Sequence, residues 1–210
     1  MALHPLTDAD LELILPWRNA PAVRRAMYSH HAISLDEHRA WFQRLQQDPS
    51  RRWYLFHDDT GTAQGVVYFT DIDAEQGSAF WGFYARPEAP SGTGLRILFA
   101  ALTLAFTELG LHKLNGEVLA DNQRSLHLHK KVGFTEEGRF REQHHDGANR
   151  IDIVRLGLLA SEWPEQCERL RARIAQIAEF KSYSTPPRST SSASSCSLTP
   201  QAGSTRTCST

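Results

Sequence analysis

Two glycines separated by one residue, Gly92 and Gly94, stand where an apolar strand gives way to an amphipathic helix. Glycine lacks a Cβ atom, so successive backbone N–H groups of such a turn can point into one concavity. The following helix adds its unpaired first-turn N–H groups and the positive end of its dipole. The pattern predicts that Gly92-Thr93-Gly94 binds an anion such as a pyrophosphate. A glycine turn required only for tight packing fits the spacing equally well.

Two other phosphate-binding motifs do not fit this turn. No Lys-Ser/Thr pair follows the glycines, which excludes a P-loop. A dinucleotide-binding fold needs a third glycine and an acidic residue about 20 positions further on, and both are missing.

The segment from Gly77 to Phe134 resembles, at two places, the GNAT superfamily of acetyl-CoA-dependent N-acetyltransferases. The first is the strand before Ser91-Gly92-Thr93-Gly94, which is similar to the family's pyrophosphate loop. The second is Asn122-x-x-Ser125-Leu126-x-Leu128-His129-x-Lys131-x-Gly133-Phe134, with His129 where the family usually has Tyr. The resemblance implies acetyl-CoA as co-substrate, without a metal. The residues that it assigns to acetyl-CoA are Phe83, Tyr84, Gly92, Thr93, Gly94, Asn122, Ser125 and Lys131.

Acetyl transfer to an amine needs a base for the amine, a donor for the thioester carbonyl and an acid for the leaving thiolate. Glu117 is the candidate base, acting through water, because its strand borders the cleft in the fold that this segment resembles. A surface carboxylate fits the position as well, and Asp121 is a competing base that is more simply a helix cap. Backbone N–H groups around Phe83 and Tyr84 can polarise the carbonyl if their strand splays from its neighbour. His129 is the candidate acid by its alignment with Tyr, although water can also protonate the thiolate.

Three short motifs, two of them in the N-terminal half, predict the acceptor. Trp17-Arg18-Asn19, His38-x-x-Trp41-Phe42 and Glu162-Trp163 resemble the bacterial N-acetyltransferases of pseudaminic acid biosynthesis. That family acetylates the 4-amino group of a UDP-linked 4-amino-4,6-dideoxy sugar, which makes a UDP-amino-sugar the predicted substrate. Protein N-terminal acetyltransferases of the ribosomal-protein type share much of the pattern and are the alternative, and a non-catalytic acyl-CoA-binding module is a third hypothesis. The residues assigned to the acceptor are Arg18 and His38 for the diphosphate, and Met27 and Tyr28 for the sugar.

Length and composition bound the architecture. With 210 residues and 40% hydrophobic content, the chain can bury one core. We predict an α/β (α+β) GNAT fold with a single mixed, mostly antiparallel central sheet of about seven strands flanked by helices. The predicted divisions are an acetyltransferase domain over 1–165, a C-terminal helix over 166–181 and a disordered Ser/Thr-rich tail over 182–210.

The same totals predict partners and location. With a net charge of −1, the chain has no overall positive charge that would attract nucleic acid or a membrane surface. Its cysteines lack the CxxC spacing that is typical of a zinc site. The first residues lack a secretory signal and no run of about 18 apolar residues occurs, so we expect a cytoplasmic protein. A homodimer is one possible assembly.

The hydrophobic pattern places the elements. We predict strands over 3–6, 52–57, 64–72, 78–85, 113–120, 135–144 and 149–158. We predict helices over 95–109, 122–131 and 159–180, one that begins after Thr7 and ends at Pro16, and one that a Ser34–Glu37 capping box starts.

Overall fold

The computed structural model of the protein describes residues 1–184, with side chains through residue 177. The predicted tail lies outside the described residues from position 185 on. Among residues 1–184, no helix is both long enough and apolar enough to span a membrane.

A seven-stranded sheet forms the centre of the molecule. Its spatial order is β1-β2-β3-β4-β5-β7-β6, and every neighbouring pair is antiparallel except β4 and β5, which confirms the predicted mixed, mostly antiparallel sheet. The strands are β1 (Ala2–Pro5), β2 (Arg52–His57), β3 (Ala63–Asp73), β4 (Ser78–Ala85), β5 (Lys113–Leu119), β6 (Thr135–His145) and β7 (Arg150–Leu159).

Six α-helices and two short helical segments complete the described chain. The short segments are a 3-10 turn (Asp8–Asp10) and a π turn (Leu104–Glu108). The α-helices are α1 (Leu11–Asn19), α2 (Pro21–Arg25), α3 (Leu35–Gln46), α4 (Thr93–Thr103), α5 (Gln123–Lys131) and α6 (Trp163–Ser184).

In three helices, a boundary differs from the sequence prediction by two residues or more. Helix α1 does not end at Pro16 but continues to Asn19. A proline inside a helix costs about 3 kcal/mol, and burial of Ile14 and Trp17 on either side of it offsets this, since each such side chain gains about 1.5–3 kcal/mol. The helix predicted over 95–109 begins at Thr93 and changes to the π turn at Leu104. Helix α6 begins four residues later than predicted, because β7 continues to Leu159 and a turn follows, in which the Glu162 N–H donates to Leu159 O.

The sheet separates two hydrophobic cores. Helices α4 and α6 cover one face, where Ile97, Leu98 and Leu102 are completely buried. Helices α1 and α3 cover the opposite face at β2, β3 and β4, where Leu11 and Ile14 pack. The capping box of α3 is confirmed, because the Ser34 N–H donates to Glu37 at 2.7 Å and the Glu37 N–H donates to Ser34 Oγ at 3.2 Å.

Candidate active site

The two parallel strands at the centre of the sheet separate halfway along their length. Pairing of β4 with β5 runs from Ser78–Lys113 to Trp81–Gly116 and stops there, although β4 continues to Ala85 and β5 to Leu119. The predicted splay of the cofactor strand is therefore present. We refer to the opening between β4 and β5 beyond Trp81 and Gly116 as the gap.

Alternate backbone N–H groups of β4 point into the gap. The Arg86 N–H donates to Gln64 O on β3 at 2.9 Å, and backbone groups alternate sides along an antiparallel strand. The N–H of Phe83 therefore points away from β3 and toward the gap, while the N–H of Tyr84 is directed at β3. Of the two residues predicted to donate to the carbonyl, only Phe83 therefore directs its N–H toward the gap. The Tyr84 side chain is buried in the α1–α3 core, and burial raises the pKa of its phenol.

The glycine turn at the start of α4 has the backbone conformation that an anion site needs. Gly92 is the N-cap of α4 with φ of +90°, a left-handed conformation that favours glycine. The Thr93 N–H is used within the turn, since it donates to Pro90 O at 3.0 Å, and the Thr93 side chain is buried. The Thr93 N–H is therefore not free to bind an anion in this conformation. Ile177 of α6 lies 3.4 Å from the point where a Cβ atom of Gly92 would stand.

Helix α5 carries the second motif, and its first turn caps itself. Asn122, not Asp121, is the N-cap, and its side chain accepts a hydrogen bond from the Ser125 N–H at 3.1 Å. Lys131 is exposed at the end of the helix, and His127 is exposed on another face. The structure thus gives Asn122 a capping role, while Ser125 faces His129.

His129 lies inside the protein, against the gap. It is 5% exposed and packs between Trp81 and Phe134, with ring centroids 5.4 and 5.0 Å away. Its Nδ1 lies 2.8 Å from Ser125 O, and only a protonated nitrogen can bond a carbonyl, so the neutral ring carries its proton on Nδ1. Burial lowers the pKa of His129 below its usual value. In this state Nε2 has a lone pair and no proton to give to a thiolate.

Glu117 lies on the opposite face of β5 from His129 and lines an open cavity. The Tyr28 hydroxyl donates to Glu117 Oε2 at 2.7 Å, and Arg155 of β7 forms an ion pair with Oε1 at 3.0 Å. Burial, and then the bond to Glu117, raise the pKa of Tyr28. The cavity of about 480 Å³ is lined by Tyr28, Glu117, Phe140, Gln143, His144 and Ile153.

The predicted acceptor residues fall into different environments. Arg18 is half-buried; its NH2 group donates to Ser29 O at 3.2 Å and its NH1 group is enclosed without a recorded partner. Burial lowers the pKa of Arg18, whereas the nearby Tyr84 and Tyr68 hydroxyls act in the opposite direction. The structure does not bring His38 to the cleft, because it is 4% exposed and stacks on Trp41 at 5.1 Å. Met27 is partly buried against the α1–α3 core.

Sequence reasoning missed three residues of the site: Trp81, His144 and Arg155. Arg155 interrupts an apolar strand, which was a usable signal, because a cation there needs a partner. His144 is buried with its Nε2 3.0 Å from Nε2 of His30, a pairing across 114 positions that local patterns do not reveal. Within residues 1–184, no group of three or more His, Cys, Asp or Glu side chains is placed to hold a metal ion.

Comparison with known proteins gives a consistent set of relatives. Residues 1–135 match the family model described as acetyltransferase (GNAT) domain. The chain is 31% identical over 130 residues to the acetyltransferase PseH of Campylobacter jejuni strain 81-176, which covers 62% of this chain and 80% of that protein. It is 25% identical over 169 residues to the spermidine N(1)-acetyltransferase of Vibrio cholerae, which covers 80% of this chain and 98% of that protein. The crystal structure of Vibrio cholerae spermidine N-acetyltransferase with CoA and spermine aligns with a TM-score of 0.73 and 26% identity, over 77% of this chain and 96% of that one.

Proposed function

The chain belongs to the GNAT acetyltransferase family, and from this we propose that it transfers the acetyl group of acetyl-CoA to the 4-amino group of a UDP-linked amino-dideoxy sugar. This is the acetylation step of pseudaminic acid biosynthesis. The sequence resemblance around Trp17-Arg18-Asn19 and the 31% identity to PseH support the choice of acceptor.

The gap and the glycine turn fit acetyl-CoA. A thioester between β4 and β5 would present its carbonyl oxygen to the Phe83 N–H, and the turn Gly92-Thr93-Gly94 would hold the pyrophosphate at the start of α4. The pairing of β4 with β5 ends at Trp81, so the backbone donor at Phe83 is not consumed by the sheet.

The proposed reaction uses Glu117 as the base. The amine of the acceptor loses a proton to Glu117 through water and attacks the thioester carbon. The C–N bond forms, negative charge on the oxygen is met by the Phe83 N–H, and the C–S bond then breaks with its electron pair on sulfur. The hydrogen bond from Tyr28 and the ion pair with Arg155 each involve one oxygen of Glu117, and together they hold the carboxylate at the wall of the cavity.

The positive charge of the N-terminal segment supports an acceptor that contains a diphosphate. Residues 13–35, which contribute Tyr28 to the cavity and His30 to the contact with His144, contain three arginines, two histidines and no carboxylate. Enclosed guanidinium nitrogens of Arg18 and Arg24 have no partner among the described residues. Guanidinium groups bind phosphate oxygens through paired hydrogen bonds, so an anionic acceptor would satisfy them.

A polyamine is the second candidate acceptor, because the spermidine acetyltransferases cover more of the chain than PseH does. A cationic acceptor requires carboxylates, and Glu117 already bonds Arg155. The N-terminal peptide of a ribosomal protein is a third candidate, carried by the sequence pattern alone. Charge therefore favours the nucleotide sugar over spermidine.

Calorimetric titration with UDP and with spermidine tests the proposal without synthesis of the sugar. UDP contains the diphosphate without the sugar, so we expect it to bind the parent protein and to compete with the UDP-amino-sugar. Spermidine binding without UDP binding would overturn the choice of acceptor and leave the acetyltransferase assignment intact.

Two further parts of the proposal concern the setting of the reaction. We place it in the cytoplasm and expect a homodimer. A dodecameric form has been described for the Vibrio cholerae spermidine acetyltransferase. Sedimentation of the full chain would separate a dimer from such an assembly.

A further inference from the structure

Two ring nitrogens converge over Gly116 at the base of the gap. A Cβ atom built on Gly116 would lie 3.4 Å from Trp81 Nε1 and 3.5 Å from His129 Nε2. Trp81 and Gly116 are also the last paired residues of β4 and β5. Glycine at position 116 therefore leaves space for one methyl-sized group within contact distance of both nitrogens, where the strands begin to separate.

The indole N–H of Trp81 has no hydrogen-bond partner in the described part of the chain. Trp81 is 5% exposed, and its Nε1 is fully enclosed. Buried donors in folded proteins are paired in the great majority of cases, because an unpaired one loses its bond to water and gains nothing. An unpaired donor beside a substrate gap indicates that the substrate supplies the acceptor.

His129 does not fill the role of donor at this place. Its Nδ1–H bonds Ser125 O, so Nε2 faces the gap as an acceptor, and burial keeps the ring neutral by lowering its pKa. Of the two nitrogens over Gly116, Trp81 Nε1 is thus the one that carries a hydrogen.

We infer that the indole N–H of Trp81 donates a hydrogen bond to the sulfur of CoA as the thiolate leaves. The indole only donates the hydrogen bond and does not ionise. The electron pair of the broken C–S bond stays on sulfur, the Trp81 N–H stabilises that charge, and water protonates the thiolate after release. The inference rests on the thioester chemistry of the proposed function but not on the identity of the acceptor.

The experiment measures the thiol of bound CoA. In the parent protein, the ultraviolet absorbance of the thiolate should report a lower pKa for bound CoA than for free CoA. Trp81→Phe removes the N–H and should raise the pKa of the bound thiol by about one unit or more, because hydrogen bonds to charged groups are the stronger kind. The maximal rate should fall by about tenfold to a hundredfold while the Kd of acetyl-CoA changes little.

Trp163→Phe is the matched control. Trp163 is also 5% exposed and packs on the same core, against Phe99 and Phe106, away from the gap. Both variants should lose similar thermal stability, and only Trp81→Phe should change the titration and the rate.

Two outcomes decide the inference. If bound CoA titrates alike in the parent and in Trp81→Phe, the indole does not contact sulfur and the inference fails, whichever acceptor the enzyme uses. If Trp81→Phe does not fold, replacement of Trp81 by β-(3-benzothienyl)alanine keeps the ring shape and removes only the N–H. If instead the proposed function is wrong, the enzyme should acetylate another acceptor, while the difference in thiol pKa between the parent and Trp81→Phe persists.

Discussion

Replacement of Glu117 by glutamine should separate catalysis from stability. The substitution removes the carboxylate charge and keeps the size of the side chain, and its amide can still bond Tyr28 and Arg155. A general base contributes about 10²–10⁴-fold to the rate, so the maximal rate of Glu117→Gln should fall by at least about a hundredfold. That loss corresponds to about 2.7 kcal/mol of barrier.

The loss of stability should be much smaller. Arg155 and Glu117 are 28% and 26% exposed, and an ion pair with such access to water is worth about 0.2–1 kcal/mol. For a domain of this size, 1 kcal/mol shifts the Tm by about 2–4 °C. A variant that loses a hundredfold in rate and less than about 4 °C in Tm therefore loses chemistry and not fold.

The assay follows CoA release at saturating substrates from pH 6 to 9. Without its base, Glu117→Gln should gain rate steadily with pH, since the amine must then reach the site already deprotonated. The control is Glu136→Gln on β6, which breaks exposed ion pairs with Lys130 of α5 and Arg139 of β6. A Glu117→Gln rate within threefold of the parent at every pH would refute the assignment of the base.

Three further predictions address the anion turn, the acceptor cation and the buried histidines. Gly94→Val should fold, since the first added carbon lies 3.5 Å from Leu128 Cδ2, but its two methyl groups should lower the calorimetric affinity for acetyl-CoA at least tenfold. The control is Gly138→Val, at an open position. An unchanged affinity of Gly94→Val would mean that the pyrophosphate binds elsewhere. Arg18→Gln should raise the KM for the UDP-amino-sugar about tenfold or more with little change in maximal rate, because a charged hydrogen bond contributes about 1.5–3 kcal/mol. An unchanged KM would mean that Arg18 does not bind the diphosphate. Burial lowers the pKa of His38 and His129, so below about pH 6.5 the unfolded chain takes up protons that the folded chain excludes. In urea denaturation, the free energy of unfolding should be highest above about pH 6.5. Below that pH it should fall by up to about 1.4 kcal/mol per pH unit for each histidine. His129→Phe should flatten this slope, and a parent stability that does not change between pH 7.5 and 5 would contradict the reasoning.

Local patterns were sufficient for most of the fold. Alternation of apolar residues located β2 and β4 to the residue, and the Asn122 motif located α5, because these signals depend on neighbouring positions. Pro16 misled the prediction for α1, since a local breaker was outweighed by burial that only the folded chain supplies. The division into domain, helix and tail stays a prediction.

The site was less predictable because its roles depend on contacts between distant parts of the chain. Glu117 lines the open cavity, but local patterns do not reveal its partners Tyr28 and Arg155, which come from a loop and from another strand. The family pattern indicated an acid at position 129, whereas the hydrogen bond to Ser125 O fixes the tautomer that cannot donate into the gap. His38 follows the motif in sequence and is buried in the core in space.

The most direct measurement of the proposal is kcat/KM with acetyl-CoA for three acceptors: a UDP-linked 4-amino-4,6-dideoxy sugar, spermidine and a ribosomal-protein N-terminal peptide. The proposal predicts that the nucleotide sugar exceeds both others by at least about a hundredfold, with the acetyl group on the 4-amino nitrogen by mass spectrometry. It also predicts that Arg18→Gln narrows this ratio. A higher kcat/KM for spermidine or for the peptide, unaffected by Arg18→Gln, would contradict it.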